Sequence, residues 1–319
     1  MTENYSSKSS ARALALSLIV TGSILLGGGK ALAEGTEGFK TVTDHLERTI
    51  EIPKDPQRIL ALNPNMMDFL YILGYSPVGK VEEYEIRPEG AALPSVGRQN
   101  NVNVEAVYGL KPDLIFGNVG HMAPIMDALE QTGAAVVALD AKRNDDALLG
   151  VMYLMAQALG KEEAAVEYKA LFDSVVEKGK ARLRETQPDI KSMVILQGGV
   201  KSILAFMPGN FHSDLVGRLG LRNIVPVDFS RVSKEVPSAI AFNIESIMTE
   251  DPDVIFIRTV GKGGGSTVER MKKDPAWSSL RAVRENRVIV MPGKLNPGKI
   301  GLHEATQWIA DQLCSIEAK

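Results

Sequence analysis

Cysteine is almost absent from this chain. Cys314 is the single thiol in 319 residues, so no internal disulfide can form. A cysteine-ligated iron–sulfur cluster or structural zinc site is excluded by the same count. Histidine is scarce as well. The four are His45, His121, His212 and His303, and a site for bare zinc or manganese needs three or four ligands converging in one cleft. An excess of positive charge is missing too. Lys and Arg number 36 against 39 Asp and Glu, a net charge of −3, which provides no broad basic field for nucleic acid.

The common enzyme signatures are lacking or broken. No G-x-G-x-x-G follows the first apolar strand and no G-x-S-x-G occurs. His303-Glu304 opens an H-E-x-x-H-like pattern, but Gln307 stands where the second imidazole must be to hold zinc. Gly261–Gly265 reads as a mobile glycine loop. It is unlike a phosphate loop, because Lys262 precedes most of the glycines and no helix signal follows in register. An enzyme is therefore not expected. A metal-dependent hydrolase is the alternative from outside the binding-protein class, and it would require turnover with bound zinc.

An ordinary globular composition is present, 45% apolar and 24% charged, enough for a sizeable core. At the N-terminus Lys8 and Arg12 precede the apolar run Ala13–Leu26, and Ala31-Leu32-Ala33 is an A-x-A pattern. Residues 1–33 read as a secretory signal peptide with cleavage after Ala33, too short and too broken at Gly27–Gly29 for a membrane span. No cysteine follows the run to carry a lipid, so the expected location is the periplasm.

The dominant feature is a repeat. Asn103–Phe116, NVEAVYGLKPDLIF, returns as Asn243–Phe256, NIESIMTEDPDVIF, with Asn, Glu, Pro-Asp and Ile-Phe at identical offsets. Each copy reads as a short helix opened by an Asn cap, stopped before a proline and followed by an apolar strand. Two such units far apart predict an α/β fold of two similar lobes, each with a mainly parallel central sheet flanked by helices. Between them Lys161–Thr186 carries Ala165, Tyr168, Phe172, Val175, Gly179 and Leu183 at helical spacing. This predicts one long connecting helix of about 35–40 Å. The expected divisions are 34–160 for the N-terminal lobe, 161–186 for the connector and 187–319 for the C-terminal lobe.

Shorter elements follow from local pattern. Thr41–Glu51 predicts a hairpin, Arg58–Leu62 and Val78–Val81 strands, Met66–Leu73 a helix closed by Gly74, and Met122–Thr132 a helix. In the second lobe Ser192–Gln197, Ser202–Phe206 and Arg287–Met291 predict strands, and His212–Gly220 and Gly301–Ile316 helices.

With these units in place, the chain resembles the periplasmic substrate-binding proteins of ABC importers for iron–siderophores, haem and cobalamin. The resemblance rests on TVTDHLERTIEIPKDPQRILAL, the two repeat units, FHSDLVGRLGLRNIV and DPAWSSLRAVRENRVIVMPG, and covers nearly the whole chain after residue 33. It implies a monomeric receptor, without an intrinsic cofactor, that captures a metal chelate between its lobes and delivers it to an inner-membrane ABC permease. It also implies small opening and closing, limited by the connecting helix. Glu105 and Glu245 match the lobe-top glutamates that dock on permease arginines. A Glu in a first helical turn also complements the helix dipole.

In open α/β sheets ligands bind beyond the carboxyl ends of the strands. The loops there supply the candidate contacts Asn65, Met66, Tyr84, Arg98, Gln99, His121 and Met122 from the first lobe. The second lobe supplies Met207, His212, Arg231 and Arg258, with Gly293–Gly298 at the rim. Arg98 and Arg258 suit carboxylate or catecholate oxygens. His121, His212 and Tyr84 are the candidate axial contacts to haem iron or a chelated iron. A ferric siderophore is the expected ligand, with haem and then cobalamin as alternatives.

Overall fold

The computed structural model describes residues 37–140, 149–198, 203–233, 236, 238–258 and 264–317. The signal peptide expected over residues 1–33 and most of the Gly261–Gly265 loop lie outside the described residues. Among them, no helix is long and apolar enough to cross a membrane.

The first half opens with an antiparallel hairpin, β1 (Phe39–Thr43) and β2 (Thr49–Pro53). Strand β3 (Ile59–Ala61) leads into helix α1 (Pro64–Ile72). Helix α2 (Pro88–Ala91) and the short pair β4 (Gly97–Arg98) and β5 (Asn101–Val102) precede α3 (Val104–Leu110). Strand β6 (Leu114–Asn118), helices α4 (Val119–Met122) and α5 (Met126–Glu130), and strand β7 (Ala135–Leu139) complete a three-stranded parallel sheet of order β3-β6-β7. Helices α6 (Gly150–Leu159) and α7 (Glu162–Thr186) follow.

The second half repeats the plan with additions. Strands β8 (Ser192–Gly198) and β9 (Ile203–Phe206) are antiparallel to each other. Helix α8 (Phe211–Arg218), strands β10 (Arg222–Asn223) and β11 (Ala239–Ala241), and helix α9 (Ile244–Glu250) lead to β12 (Val254–Arg258). Helices α10 (Gly264–Lys273), α11 (Pro275–Ser279) and α12 (Arg281–Arg284), strand β13 (Val288–Met291) and helix α13 (Leu302–Cys314) end the chain's regular structure. The parallel triplet β8-β12-β13 answers β3-β6-β7; β9 extends it antiparallel to β8, and β11, antiparallel to β9, forms the edge. The predicted α/β architecture of two mainly parallel sheets with one long helix between them is what the chain adopts.

The repeat is structural to the level of single hydrogen bonds. Asn103 Oδ1 accepts from the Ala106 amide at 3.1 Å, and Asn243 Oδ1 from the Ser246 amide at 2.8 Å. Both helices end on a left-handed residue, Lys111 at φ 48° and Asp251 at φ 39°, immediately before a proline that disfavours further helix. The next aspartate then pins the start of the neighbouring strand. Asp113 Oδ2 accepts from the amides of Gln57 (2.7 Å) and Arg58 (3.0 Å). Asp253 Oδ2 accepts from the amides of Lys191 (2.9 Å) and Ser192 (2.8 Å) and from the Ser192 hydroxyl (2.8 Å). The strands that follow, Leu114–Phe116 and Val254–Phe256, are fully buried, the pattern of a sheet covered on both faces.

Helix α7 has 25 residues, so at about 1.5 Å each it runs on the order of 37 Å. Its buried stripe is Ala165, Tyr168, Phe172, Val176, Gly179 and Leu183. Val176 takes the place of the expected Val175: the steps are three, four, four, three and four, and at 3.6 residues per turn Val176 lies nearer the centre of the buried face. Gly179 lets α13 and α8 approach: a Cβ there would lie 2.7 Å from Leu219 Cδ2 and 3.1 Å from Ala310 Cβ. Helix α7 also packs against α1 and α6.

Three local expectations fail. Val78–Val81 is not a strand; only Lys80 makes an isolated bridge, to Ser95, because Pro77 and Gly79 interrupt the run. Met122–Thr132 is not one helix, since Pro124 splits it through a 3-10 turn at Ala123–Ile125. A helix does follow the glycine loop: α10 starts at Gly264 and buries Thr267 and Met271, one turn apart.

Candidate functional site

Strands β3 and β6 are parallel, so the segments leaving them emerge at one edge. Asn63, after β3, accepts from the amides of Asn65 (3.0 Å) and Met66 (3.3 Å) through Oδ1, which starts α1. Its Nδ2 donates to Gln99 Oε1 at 3.1 Å. Glu83 accepts from Arg98 Nε at 3.3 Å and from the Gln99 amide at 3.2 Å. His121, on α4 just after β6, stays exposed. Desolvation by the loops around it lowers its pKa, and the Glu83 carboxylate opposes the shift. Thus Asn65, Arg98, Gln99 and His121 gather with Asn63 and Glu83 into one polar surface. Arg98 keeps 62% of its side chain exposed while paired to Glu83.

The second half builds a different surface at the matching edge. Arg258 ends β12 in register with Gln197 of β8 and Met291 of β13. Its Nη1 donates to Gln197 Oε1 at 2.8 Å, and Nε and Nη2 both donate to Asn296 Oδ1 at 3.2 Å. The guanidinium carbon lies 5.3 Å from the centre of the Phe206 ring. All of these partners are neutral, and among the described residues no carboxylate pairs with Arg258. Desolvation pulls its pKa below the ordinary arginine value. A half-buried cation whose described neighbours are uncharged has the chemistry to pair with an anion.

One segment joins the two surfaces. Gly298 O accepts from the Glu85 amide, and Lys299 Nζ lies 2.7 Å from Glu85 Oε1. Gly298 sits at φ +86°, where an added Cβ would meet Pro64 Cβ at 2.5 Å and Glu83 O at 2.6 Å. The Asn296 that holds Arg258 is therefore two residues from a tight contact with the first-half site.

Several expected contacts are instead core. Tyr84 is fully buried, its ring stacked on Tyr71 with centroids 6.2 Å apart and its hydroxyl 3.4 Å from Asp68 Oδ1. Burial raises its pKa, and Asp68 beside it adds to the rise, so it offers no phenolate to iron. His212 is 2% exposed, with Nε2 3.0 Å from Leu295 O. Burial first, and then the Arg258 charge, push its pKa down to about 4. Met66, Met122 and Met207 are at most 2% exposed. Met122 fills the space that Gly117 leaves, and Met207 Sδ accepts from the Asp228 amide at 3.4 Å. Methionine at a loop edge reads alike in sequence whether it packs inward or outward. Arg231 lies at the rim, its side chain half exposed, donating to Ala241 O at 3.1 Å. Of the three axial candidates only His121 reaches solvent. Among the described residues no group of three His, Cys, Asp or Glu can hold a metal.

Residues not singled out from sequence complete the arrangement: Glu83, Gln197, Asn296, and Phe229, which is 71% exposed on the loop carrying Arg231. Strand register carries a signal for Gln197, a polar residue ending an apolar strand. Asn296 falls within the Gly293–Gly298 segment expected at the rim, but no local pattern singles it out, since only the folded loop brings it to Arg258.

The two repeat helices present matching faces. Glu105 and Glu245 are exposed, and three residues on, Tyr108 and Met248 are 44% and 43% exposed. Residues three apart share a helix face, so each helix offers a carboxylate beside an apolar group.

Comparison with known proteins bears on this geometry. The chain is similar to the Fe(3+)-citrate-binding protein YfmC of Bacillus subtilis (strain 168), 24% identical over 239 residues, 73% of this chain and 72% of that one. It is 28% identical over 258 residues to the probable siderophore-binding lipoprotein YfiY of the same organism, 77% of this chain and 78% of the relative. Among solved structures, the FhuD protein from S. pseudintermedius superposes with a TM-score of 0.70 at 20% identity, covering 88% of this chain and 99% of that one. Staphylococcus aureus SirA complexed with staphyloferrin B gives a TM-score of 0.67 at 21% identity, covering 86% and 97%. The family model for periplasmic binding proteins matches residues 59–295, well over half of the chain, and the protein belongs to that family.

Proposed function

We infer that this protein is the receptor component of an ABC importer that captures an anionic ferric chelate, a carboxylate-bearing siderophore or ferric citrate, and hands it to an inner-membrane permease. The observation that carries the reading is Arg258, a desolvated guanidinium whose described partners are Gln197, Asn296 and the Phe206 ring. Opposite it in role, Asn63, Asn65, Gln99 and His121 offer polar, largely uncharged contacts for the remainder of the chelate. The names of the relatives, an Fe(3+)-citrate-binding protein and a siderophore-binding lipoprotein, support the same class of ligand.

The chelate is cargo, so no resident cofactor and no catalytic group is required. Haem loses support because two of its three candidate axial residues, Tyr84 and His212, are buried and engaged. Export by the segment 1–33, cleavage after Ala33 and residence in the periplasm as a monomer complete the reading. Glu105 and Glu245 would dock on two basic sites of the permease, with register rather than strength as their contribution, since exposed ion pairs are each worth about 0.2–1 kcal/mol.

The test is a set of fluorescence titrations of residues 34–319, with Trp277 and Trp308 as reporters. The ligands are ferric citrate, ferric desferrioxamine and hemin. Saturation at one ferric citrate per chain supports the reading. Saturation by hemin with a sharpened Soret band, and silence to both ferric chelates, refutes it.

A further inference from the structure

The partners of Arg258 define more than an anion site. Nε and Nη2 form the edge of the guanidinium that a carboxylate grips with two oxygens. Here a single amide oxygen, Asn296 Oδ1, spans that edge at 3.2 Å to each nitrogen. Asn296 is held in place on both sides. Its amide donates to Gly293 O at 3.2 Å and its carbonyl accepts from the Lys299 amide at 3.1 Å. The preceding Leu295 O takes His212 Nε2 at 3.0 Å, and Lys299 pairs with Glu85 at 2.7 Å. The backbone of Asn296 is thus fixed by its own loop, while the described bonds of its side chain are those to Arg258.

The geometry points to Asn296 as the selectivity residue of this site: a neutral surrogate that occupies the guanidinium edge when the site is empty and yields it to an ionised oxygen, so that the chain prefers carboxylate-bearing chelates to those without one. This rests on Arg258 lying in the ligand site. An amide oxygen satisfies the hydrogen bonds of the guanidinium but leaves its charge unmatched. A carboxylate matches both, and the gain is larger where protein excludes water. A chelate with no anionic group gains nothing by displacing Asn296. The residue type matters, because aspartate at the same position would neutralise Arg258 from within and repel the ligand's own carboxylate.

The experiment is Asn296→Asp, nearly isosteric, measured in two ways on residues 34–319. The first is the ratio of affinities for ferric citrate and ferric desferrioxamine, which carries no carboxylate. The ratio is expected to fall by about ten-fold or more relative to the unsubstituted protein. The second is the thermal midpoint without any chelate, with and without iron-free citrate. The variant is expected to melt higher alone and to lose the stabilisation that citrate gives. An unchanged ratio, or equal losses for both chelates, overturns the proposal. So does a midpoint that falls or stays constant on substitution. If the unsubstituted protein takes neither ferric chelate, the proposed function fails, while the midpoints still decide whether Asn296 stands in for an anion on Arg258.

Discussion

Acidification should destabilise the protein through His212, by an amount the structure bounds. The imidazole is 2% exposed and its pKa lies at about 4 against an ordinary 6.5. Burial is the larger cause and the Arg258 charge the second, while the bond to Leu295 O opposes them. In the unfolded chain the ring protonates near pH 6.5, and in the folded chain only near pH 4. Between those values the unfolded state binds the extra proton, so folding stability rises with pH across the window. The contribution is fully present above pH 6.5 and is lost progressively as the pH falls to about 4. A shift of about 2.5 units at 1.36 kcal/mol each gives a loss of roughly 3 kcal/mol. The perturbation is His212→Gln, whose side-chain amide can still donate to Leu295 O but does not titrate. Urea unfolding free energies would be measured at pH 7.5, 5.5 and 4.5 for both proteins. The variant should be less stable at pH 7.5, from lost packing against Phe211, but its curve should be flatter by about 2–3 kcal/mol over that range. Parallel curves would refute the reasoning, because they would mean that His212 carries the same charge in both states.

Other substitutions test the frame around the site. Gly298→Ala should cost at least about 2 kcal/mol, because the residue is at φ +86° and a Cβ would collide with Pro64 and Glu83 O; denaturant midpoints check this, and chelate affinity should fall with it. Asp253→Asn should destabilise more than Asp113→Asn, by about 1–3 kcal/mol. Asp253 serves Lys191, Ser192 and Arg281, and although burial raises its pKa, those bonds together bring it below the ordinary value. The Asp253 contribution is therefore present at neutral pH and is lost only as the pH falls below the ordinary 3.8 through the lower folded value, which unfolding curves extended below pH 3.8 would record. Glu105→Arg combined with Glu245→Arg should abolish uptake of iron-55 chelate in cells carrying the cognate permease while purified receptor binds the chelate as before; retained uptake would remove the docking role.

The repeat was the most legible part of the molecule. Its Asn caps, its prolines and its Asp residues each have a local physical role, so NVEAVYGLKPDLIF and NIESIMTEDPDVIF announce two helix–strand units without tertiary information. The α7 stripe was legible for the same reason, displaced by one position at Val176 because helix period, not residue type, selects the buried face. The site was legible only as a set of loops. Direction relative to the core decides whether Tyr84, His212, Met66, Met122 and Met207 meet a ligand or each other, and no local pattern encodes it. Asn296 illustrates the opposite limit. It lies 38 residues beyond Arg258 in sequence, in a segment with no periodicity, and only the fold makes the pair.

The most direct measurement is isothermal titration of ferric citrate into residues 34–319 and into the Arg258→Gln variant under identical conditions. Saturable one-to-one binding that weakens by at least about 2 kcal/mol, roughly thirty-fold, in the variant is the predicted result. Equal affinity in the two proteins would contradict the claim that Arg258 receives the anionic face of the chelate.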